Sequence, residues 1–385
     1  MKFNDKIIDQ LLQYETPYYF YSKRILRGTL ESLKKESEKF NYKIHYALKA
    51  NSHPEILNEV ASYGMGADCV SGNEVRRAVS CGFPPNQIVF AGVGKSDWEI
   101  QEALKARIFC FNCESIQEIQ VINQLAAGMG MRAPIALRLN PNVNSYTHHY
   151  ITTGLEENKF GIDPRELADV MACVEKCEYI SLEGLHFHVG SQITDLNVFK
   201  NLCLRINEIH QWFADRLIQL SHINAGGGLG VNYSTPDTML IPDFSSYFEI
   251  FHRFLELPKT MEIHFEPGRS VTGQCGSLIS RVLYVKKGRN TSFAILDAGM
   301  TELIRPALYE AYHKIENLTS QETKHEPYDV VGPVCESSDC FGKAVDLPLT
   351  ARGDLMAIRT AGAYGEMMAS GYNLRNLFPA VFDEN

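Results

Sequence analysis

The chain has 385 residues, a formal charge of -9 and 45% apolar residues, which suits a large core and, by length alone, about two to three domains. The acidic excess is spread without runs and disfavours nucleic acid or an anionic membrane surface as a partner. No apolar stretch reaches the length of a membrane span, and Met1-Lys-Phe-Asn-Asp-Lys6 lacks the apolar centre of a signal peptide, so the expected compartment is the cytoplasm, with the ten cysteines reduced.

Thr16-Pro-Tyr-Tyr-Phe-Tyr-Ser22 opens the chain as an aromatic, strand-like run, followed by an amphipathic stretch at 23–40. Short apolar runs then alternate with helical patterns. Strands are expected at 44–48, 67–70, 88–91, 108–111, 135–139, 182–189, 222–225 and 262–265, and helices at 54–63, 73–80, 96–106, 115–126, 164–177, 196–218 and 244–255. Pro54 suits a first turn, Ser96 and Glu99 form a capping box, and Gly64, Gly82 and Gly128 follow helical runs. Eight strands separated by helices fit a closed (β/α)8 barrel. The rival, a doubly wound open sheet, requires a dinucleotide fingerprint after its first strand, and Lys49-Ala-Asn-Ser52 is not one. From 270 onward, alternating β-branched runs at 278–285, 292–296, 328–334 and 355–360 replace the helices. They predict a mainly antiparallel β domain, into which the 18–21 strand would pair. The expected domains are a barrel at 24–269 and a β domain built from 1–23 with 270–385.

In such a barrel the residues just past each strand carry function. Lys49 follows the alternation of Ile44, Tyr46 and Leu48 with His45 and Ala47, and stands where the first strand opens into a loop. Strand six leads into His186-Phe-His188-Val-Gly190-Ser191-Gln192, strand seven into Asn224-Ala-Gly226-Gly227-Gly228-Leu-Gly230, and strand eight into Glu266-Pro-Gly268-Arg269. Three glycines in a row offer bare N–H groups to an anion, although a tight turn accounts for them equally well. Without GxGxxG spacing or a GK[ST] ending, a single phosphate monoester is the better expectation. His186 and His188 share a strand face, and His264 would be a third ligand for a catalytic zinc; a ring stacked on a planar cofactor needs only one histidine, and no metal is expected. Cys110 and Cys113 have redox or half-zinc-site spacing, but they lie in an apolar strand without a second pair and read as buried structural thiols. A lysine, a stacking ring, a phosphate cradle and a carboxylate together meet the needs of pyridoxal 5'-phosphate: Lys49 makes an imine, and Glu266 keeps the pyridine nitrogen protonated unless it is spent on an ion pair with Arg269.

With these residues in place, the chain resembles the fold-type III pyridoxal phosphate decarboxylases over essentially its whole length. The resemblance rests on Tyr46-Ala-Leu-Lys49-Ala-Asn51, His186-Phe-His188-Val-Gly-Ser-Gln192, Gly226-Gly-Gly228, Glu266-Pro-Gly-Arg269, Gly332-Pro-Val-Cys335-Glu336-Ser and Ala363-Tyr364-Gly365. The branch it resembles decarboxylates meso-diaminopimelate at its D-centre to give L-lysine, and has a loop over its active site like the segment at 140–161. The resemblance implies that Lys49 carries the cofactor and His188 stacks on its ring. Gly226, Gly227, Gly228 and Ser191 would hold the phosphate and Glu266 the ring nitrogen, with Gly268, Arg269 and Tyr364 also at the cofactor. Arg269, Arg305, Tyr309 and Tyr364 would hold the amino-acid substrate and Glu336 its distal ammonium. Cys335 would return a proton after loss of CO2. In this family Cys335 and Glu336 come from the neighbouring subunit, so a homodimer with shared active sites is implied. Two features depart from the pattern: the chain is somewhat short, and Cys340 adds a thiol near Cys335. Carboxynorspermidine, ornithine and arginine decarboxylases share the cofactor residues, but the polyamine enzymes need no arginine pair for a distal carboxylate. A racemase is disfavoured by Glu266, and an inactive regulator by the retention of Lys49 and Cys335.

Overall fold

The structure is a computed structural model that describes residues 3–143 and 159–383; most of the expected loop at 140–161 lies outside those residues. After β1 (Tyr18–Tyr21) come eight parallel strands, β2 (Lys43–Ala47), β3 (Gly66–Cys69), β4 (Ile88–Phe90), β5 (Cys110–Cys113), β6 (Ala133–Arg138), β7 (Ile180–His186), β8 (His222–Asn224) and β9 (Glu262–Phe265). They pair in order, and β9 closes on β2 through Lys43↔His264 and Ile44↔Phe265. This is the expected (β/α)8 barrel, with ends displaced by a residue or two. The largest displacement is in β7, expected to run to 189. It stops at His186 because the chain there turns onto the glycine run: a Cβ on Gly226 would lie 2.2 Å from the Phe187 carbonyl oxygen.

Capping motifs fix the turns from strand to helix. Ser71 accepts from the Glu74 amide at 3.2 Å while Glu74 accepts from Val70 at 2.7 Å. Ser115 and Glu118 repeat the arrangement, with Glu118 reaching back to Glu114 at 2.7 Å, and Ser96 with Glu99 completes the predicted capping box. In the two other pairs the Glu reaches the residue before the cap rather than the cap itself; both escaped the sequence reading, although the Ser-x-x-Glu spacing is present in each. Gly64 and Gly82 adopt positive φ after helices as expected, whereas Gly128 is the last residue of its helix and the left-handed turn falls on Gly130.

The barrel interior follows from period-two alternation. One layer holds His45, His222 and His264, with the His264 ring stacked on His45 and Phe109 and tilted against His222. Gly66 and Gly184 make room for these imidazoles: a Cβ on Gly66 would lie 2.6 Å from His45, and one on Gly184 2.6 Å from the His222 ring. Two residues further along the same strands stand Asp68, His186, Asn224 and Glu266.

The remaining strands are β10 (Gly276–Lys287), β11 (Ser292–Leu296), β12 (Ile315–Asn317), β13 (His325–Val331), β14 (Cys340–Pro348), β15 (Leu355–Ile358) and β16 (Ala380–Phe382). They form a sheet of order β12-β15-β10-β11-β13-β14. It is mainly antiparallel, with β11 and β13 parallel. The early strand β1 joins it as expected, antiparallel to β10 and parallel to β16. The chain divides into two compact units, Leu30–Gly230 with Asp243–Gly268, and Met1–Thr29 with Val231–Pro242 and Arg269–Asn385. The single cut drawn from the sequence at 269 left Val231–Pro242 in the barrel. The segment belongs with the β unit because Asp237 pairs with Arg359 at 2.8 Å and Gln274 donates to the carbonyls of Asn232 and Met239 at 3.3 and 3.0 Å.

The glycines test this packing. Gly66→Ala would force its Cβ to 2.2 Å from the Gln87 carbonyl oxygen, so urea denaturation should show a loss of about 1–3 kcal/mol or more. Gly128→Ala meets nothing within 4 Å and should be neutral or gain up to about 1 kcal/mol.

Candidate active site

Lys49 sits in a single 3-10 turn, Leu48–Ala50, directly after β2. Buried Leu48 and Ala50 anchor the turn on either side, and the Tyr46 hydroxyl bonds the Asn51 carbonyl at 2.9 Å. The ammonium lies 3.6 Å from Asp68 Oδ2, with Lys49 39% exposed and Asp68 wholly buried. Burial is the largest cause that pushes the Asp68 carboxyl up to about 8, followed by the charge of Glu266.

Glu266 stands immediately after β9 and is buried. Its Oε2 is 2.9 Å from His186 Nε2, and its Oε1 accepts from Asn224 Nδ2 at 2.7 Å and Asn112 Nδ2 at 3.4 Å. Burial pushes this carboxyl up, but His186 and its hydrogen bond, then Lys49, outweigh it and hold the group well below the usual carboxylate range. Glu266 is therefore a buried anion with three donors. His188 lies beyond the strand end; desolvation and then the charges of Lys49 and Arg138 push its imidazole well down, so the ring is neutral.

The glycine run is tightly constrained. Gly226 and Gly228 have φ of +74° and +107°, and a Cβ on Gly227 would lie 2.2 Å from the Glu266 carbonyl oxygen. Ile193 donates to Gly228 O and accepts from Gly230 N, both at 2.9 Å, which ties the Ser191 loop beside the run. The Gly228 amide has no hydrogen-bond partner among the described residues. Gly268 packs on the lysine turn, where a Cβ would stand 3.0 Å from Ala50 Cβ and 3.1 Å from Ala47 Cβ. Within the barrel unit the fold thus joins Lys49 to Gly268 and Asp68, Glu266 to His186, and Ser191 to the glycines.

The β unit holds a second set. Arg269 and Arg305 both donate to the phenol oxygen of Tyr233, at 2.5 and 3.0 Å. The Arg269 guanidinium also lies over the Tyr364 ring, 4.8 Å from its centroid, and Tyr364 is held at φ of +59°. Burial raises the Tyr233 phenol, but the two arginines outweigh it and bring it below its ordinary value. Arg305 also donates to His313 Nε2 at 3.0 Å; His313 Nδ1 faces the Arg359 carbonyl at 2.8 Å, which fixes the proton on Nδ1. Burial, then Arg305, takes His313 down to about 3, in keeping with a neutral acceptor. Arg305 has no carboxylate partner among the described residues. Tyr309 ends the short helix Arg305–Tyr309.

Cys335 and Glu336 are exposed in the turn after β13, where Glu336 accepts from the Tyr372 hydroxyl at 2.8 Å. Asp339 builds this turn by accepting from the amides of Met300 and Val334 at 2.6 and 2.7 Å. Cys340 opens β14 opposite Val331, and burial pushes its thiol up, so the extra thiol is a strand residue. Cys110 and Cys113 are free and buried in β5, as expected of structural thiols. The histidines of the zinc alternative are engaged separately: His186 bonds Glu266, and His264 bonds His45 at 2.8 Å in the other layer.

Sequence reading missed Asp68, Asn112, Asn224, Tyr233 and His313. For Asn224 the signal was present: it lies on the same strand face as His222 and ends β8 just before the glycines.

Residues 25–273 match the family described as pyridoxal-dependent decarboxylase, pyridoxal binding domain. The diaminopimelate decarboxylase of Bacteroides thetaiotaomicron is 55% identical, covering 96% of this chain and 96% of its own. That of Vibrio cholerae is 41% identical, covering 96% of this chain and 88% of its own. Among solved structures, the diaminopimelate decarboxylase of Helicobacter pylori complexed with L-lysine superposes with a TM-score of 0.92 at 40% identity, covering 98% of this chain and 94% of that one.

The Glu266 network makes a pH prediction. A carboxyl depressed in the folded state contributes stability that is fully present above its unfolded value of 4.5 and is lost as pH falls through its folded value. The stability difference between wild type and Glu266→Gln, measured by urea denaturation, should be constant from pH 7 to pH 5.5 and shrink at pH 3.5.

Proposed function

The chain belongs to the pyridoxal-dependent decarboxylases and, among them, to the diaminopimelate decarboxylases, and from that premise we propose that it removes the D-centre carboxylate of meso-2,6-diaminopimelate to give L-lysine and CO2. The observation that carries the substrate assignment is the buried pair Arg269 and Arg305, converging on Tyr233 with no carboxylate on Arg305 among the described residues. A substrate with two amino-acid ends loses CO2 from only one, so the other must be fixed by charge. Polyamine-forming decarboxylases have no second carboxylate to hold.

The residues fit pyridoxal 5'-phosphate. A buried, ionised Glu266 suits a protonated ring nitrogen, and the unused Gly228 amide suits a phosphate oxygen. When bound, the cofactor supplies a place for the electron pair left behind by departing CO2. In this reading Lys49 holds the cofactor covalently, neutral His188 covers the ring face, and Ser191, Gly226, Gly227, Gly228, Gly268, Arg269 and Tyr364 complete its seat. Arg269, Arg305, Tyr309 and Tyr364 orient the substrate, and Glu336 takes the distal ammonium. The Cys335 thiol gives its proton to the carbon that lost CO2 and regains one from solvent. Cys335 and Glu336 act in the site of a second copy, a role in keeping with their exposure here. No helix among the described residues is long and apolar enough to cross a membrane, and we assign the enzyme to the cytoplasm as a homodimer without nucleic-acid or membrane partners.

Purified protein with pyridoxal 5'-phosphate should release CO2 from meso-diaminopimelate but not from carboxynorspermidine, ornithine or arginine, and Lys49→Ala should abolish the reaction. Turnover of carboxynorspermidine instead would overturn the roles of Arg305 and Glu336. Lys49→Ala and Cys335→Ala proteins, each inactive alone, should regain up to about a quarter of wild-type activity when mixed and re-equilibrated, because half the dimers are mixed and each of those has one complete site. No recovery would exclude shared sites.

A further inference from the structure

We propose that ionised Asp68 is the counter-ion of Lys49 and the group that takes its proton, turning the ammonium into a nucleophilic amine. The inference deepens the reading above and rests on Lys49 being the cofactor lysine.

Four buried or half-buried carboxylates of the barrel unit collect donors. Glu266 has His186, Asn224 and Asn112; Glu114 has Arg138 and the amides of Gly92 and Gly161; Glu74 accepts from Val70; Glu118 accepts from Glu114 and Lys95. Asp68 collects none: both its oxygens are buried without a hydrogen bond among the described residues, and Lys49 Nζ at 3.6 Å is its ion-pair partner. A carboxylate retained to hold the barrel together would be bonded as these four are, since burying an unsatisfied polar group is costly. The position is set by the sheet. In the β2–β3 register Ala47 lies opposite Asp68, and Lys49 follows two residues beyond Ala47, in the turn leaving β2.

The charged groups that face Asp68 come from four other elements: Lys49 from the turn after β2, Glu74 from the helix after β3, Arg138 from β6 and Glu266 from the end of β9. The anions and burial outweigh the cations, and the Asp68 carboxyl is brought up to about 8. A carboxylate with its ordinary value of 3.8 is too weak a base to draw a proton from an amine, whereas this one is far closer to matched. The step is open to the ionised fraction of Asp68, which grows as pH rises through about 8, and it is a proton transfer alone: Lys49 -NH3+ and Asp68 -COO- become -NH2 and -COOH, no electrons change hands, and the nitrogen lone pair becomes available to a carbonyl carbon. The reverse transfer restores the ion pair when the lysine is released.

The test uses full-length protein stripped of cofactor and reloaded with pyridoxal 5'-phosphate between pH 6.5 and 9.5, following growth of the visible band that depends on Lys49. Asp68→Asn keeps the shape and removes the base. It should slow band growth at pH 8.5 by on the order of tenfold or more and move the rise of the rate with pH upward, toward the ordinary lysine range, so that the deficit closes as pH increases further. A deficit equal at every pH, or none, would overturn the proposal. Should Asp68→Asn not fold, the wild-type profile decides: a reloading rate that rises only near the ordinary lysine value of about 10.4 contradicts it, and a rise centred near or below 8 supports it. If Lys49→Ala reloads with the same band as wild type, the cofactor reading itself fails, independently of Asp68.

Discussion

The barrel unit is built around a negative charge that must stay charged in its interior. An isolated ionised carboxylate is among the most expensive groups to bury, and it survives only when donors replace its water. Glu266 obtains them from β7, β8 and β5, as His186, Asn224 and Asn112. Three strands must therefore offer a polar side chain at one level, and each does so at a position whose backbone is locked in parallel register with its neighbours. Breaking any one of these bonds exposes an unsatisfied buried group, at a cost of about 1–3 kcal/mol.

The β unit faces the opposite problem. Arg269 and Arg305 are buried cations whose common partner is a phenol rather than a carboxylate. His313 joins Arg305 as a neutral acceptor, fixed in that tautomer by the Arg359 carbonyl. Such dipoles do not cancel the charge of Arg305, which has no carboxylate partner among the described residues, so its field remains available to an anion. The lowered phenol of Tyr233 records that field from the other side. Arg359, by contrast, is neutralised by Asp237 and Glu316, and this separates a structural arginine from Arg305.

Much of the barrel was legible because eight apolar runs with helical spacers leave few topologies, and Lys49, His188 and Glu266 stand out where those runs end. The residues that complete the chemistry were harder to see for a physical reason. Asp68 and Asn112 lie inside short strands, where one polar residue among apolar ones looks like an interruption of the pattern; only barrel closure shows that their face meets the interior. Tyr233 was hidden by the excursion at Val231–Pro242, which a linear division of the chain gives to the wrong unit. His186 and His188 looked equivalent by spacing. The end of β7 separates them, leaving one bonded to Glu266 and the other beyond the strand.

The three glycines illustrate why a motif read alone cannot choose between packing and ligand. A Cβ at Gly226 or Gly227 would strike a neighbouring carbonyl oxygen at 2.2 Å, and one at Gly228 would meet Gly190 O at 2.8 Å. Those contacts would exclude side chains from this turn whether or not an anion ever arrived. Packing explains the residue type but not the hydrogen bonding, because a turn shaped by packing alone has every reason to satisfy its amides internally. Here the carbonyls of Gly226 and Gly228 are both used, by Glu266 N and Ile193 N, while the Gly228 N–H is left without a partner among the described residues. Gly226 N bonds Asn224 Oδ1 at 2.9 Å and Gly227 N faces His188 Nδ1 at 3.5 Å, so one donor of the three, that of Gly228, is left to an anion, a difference invisible in the string Gly-Gly-Gly.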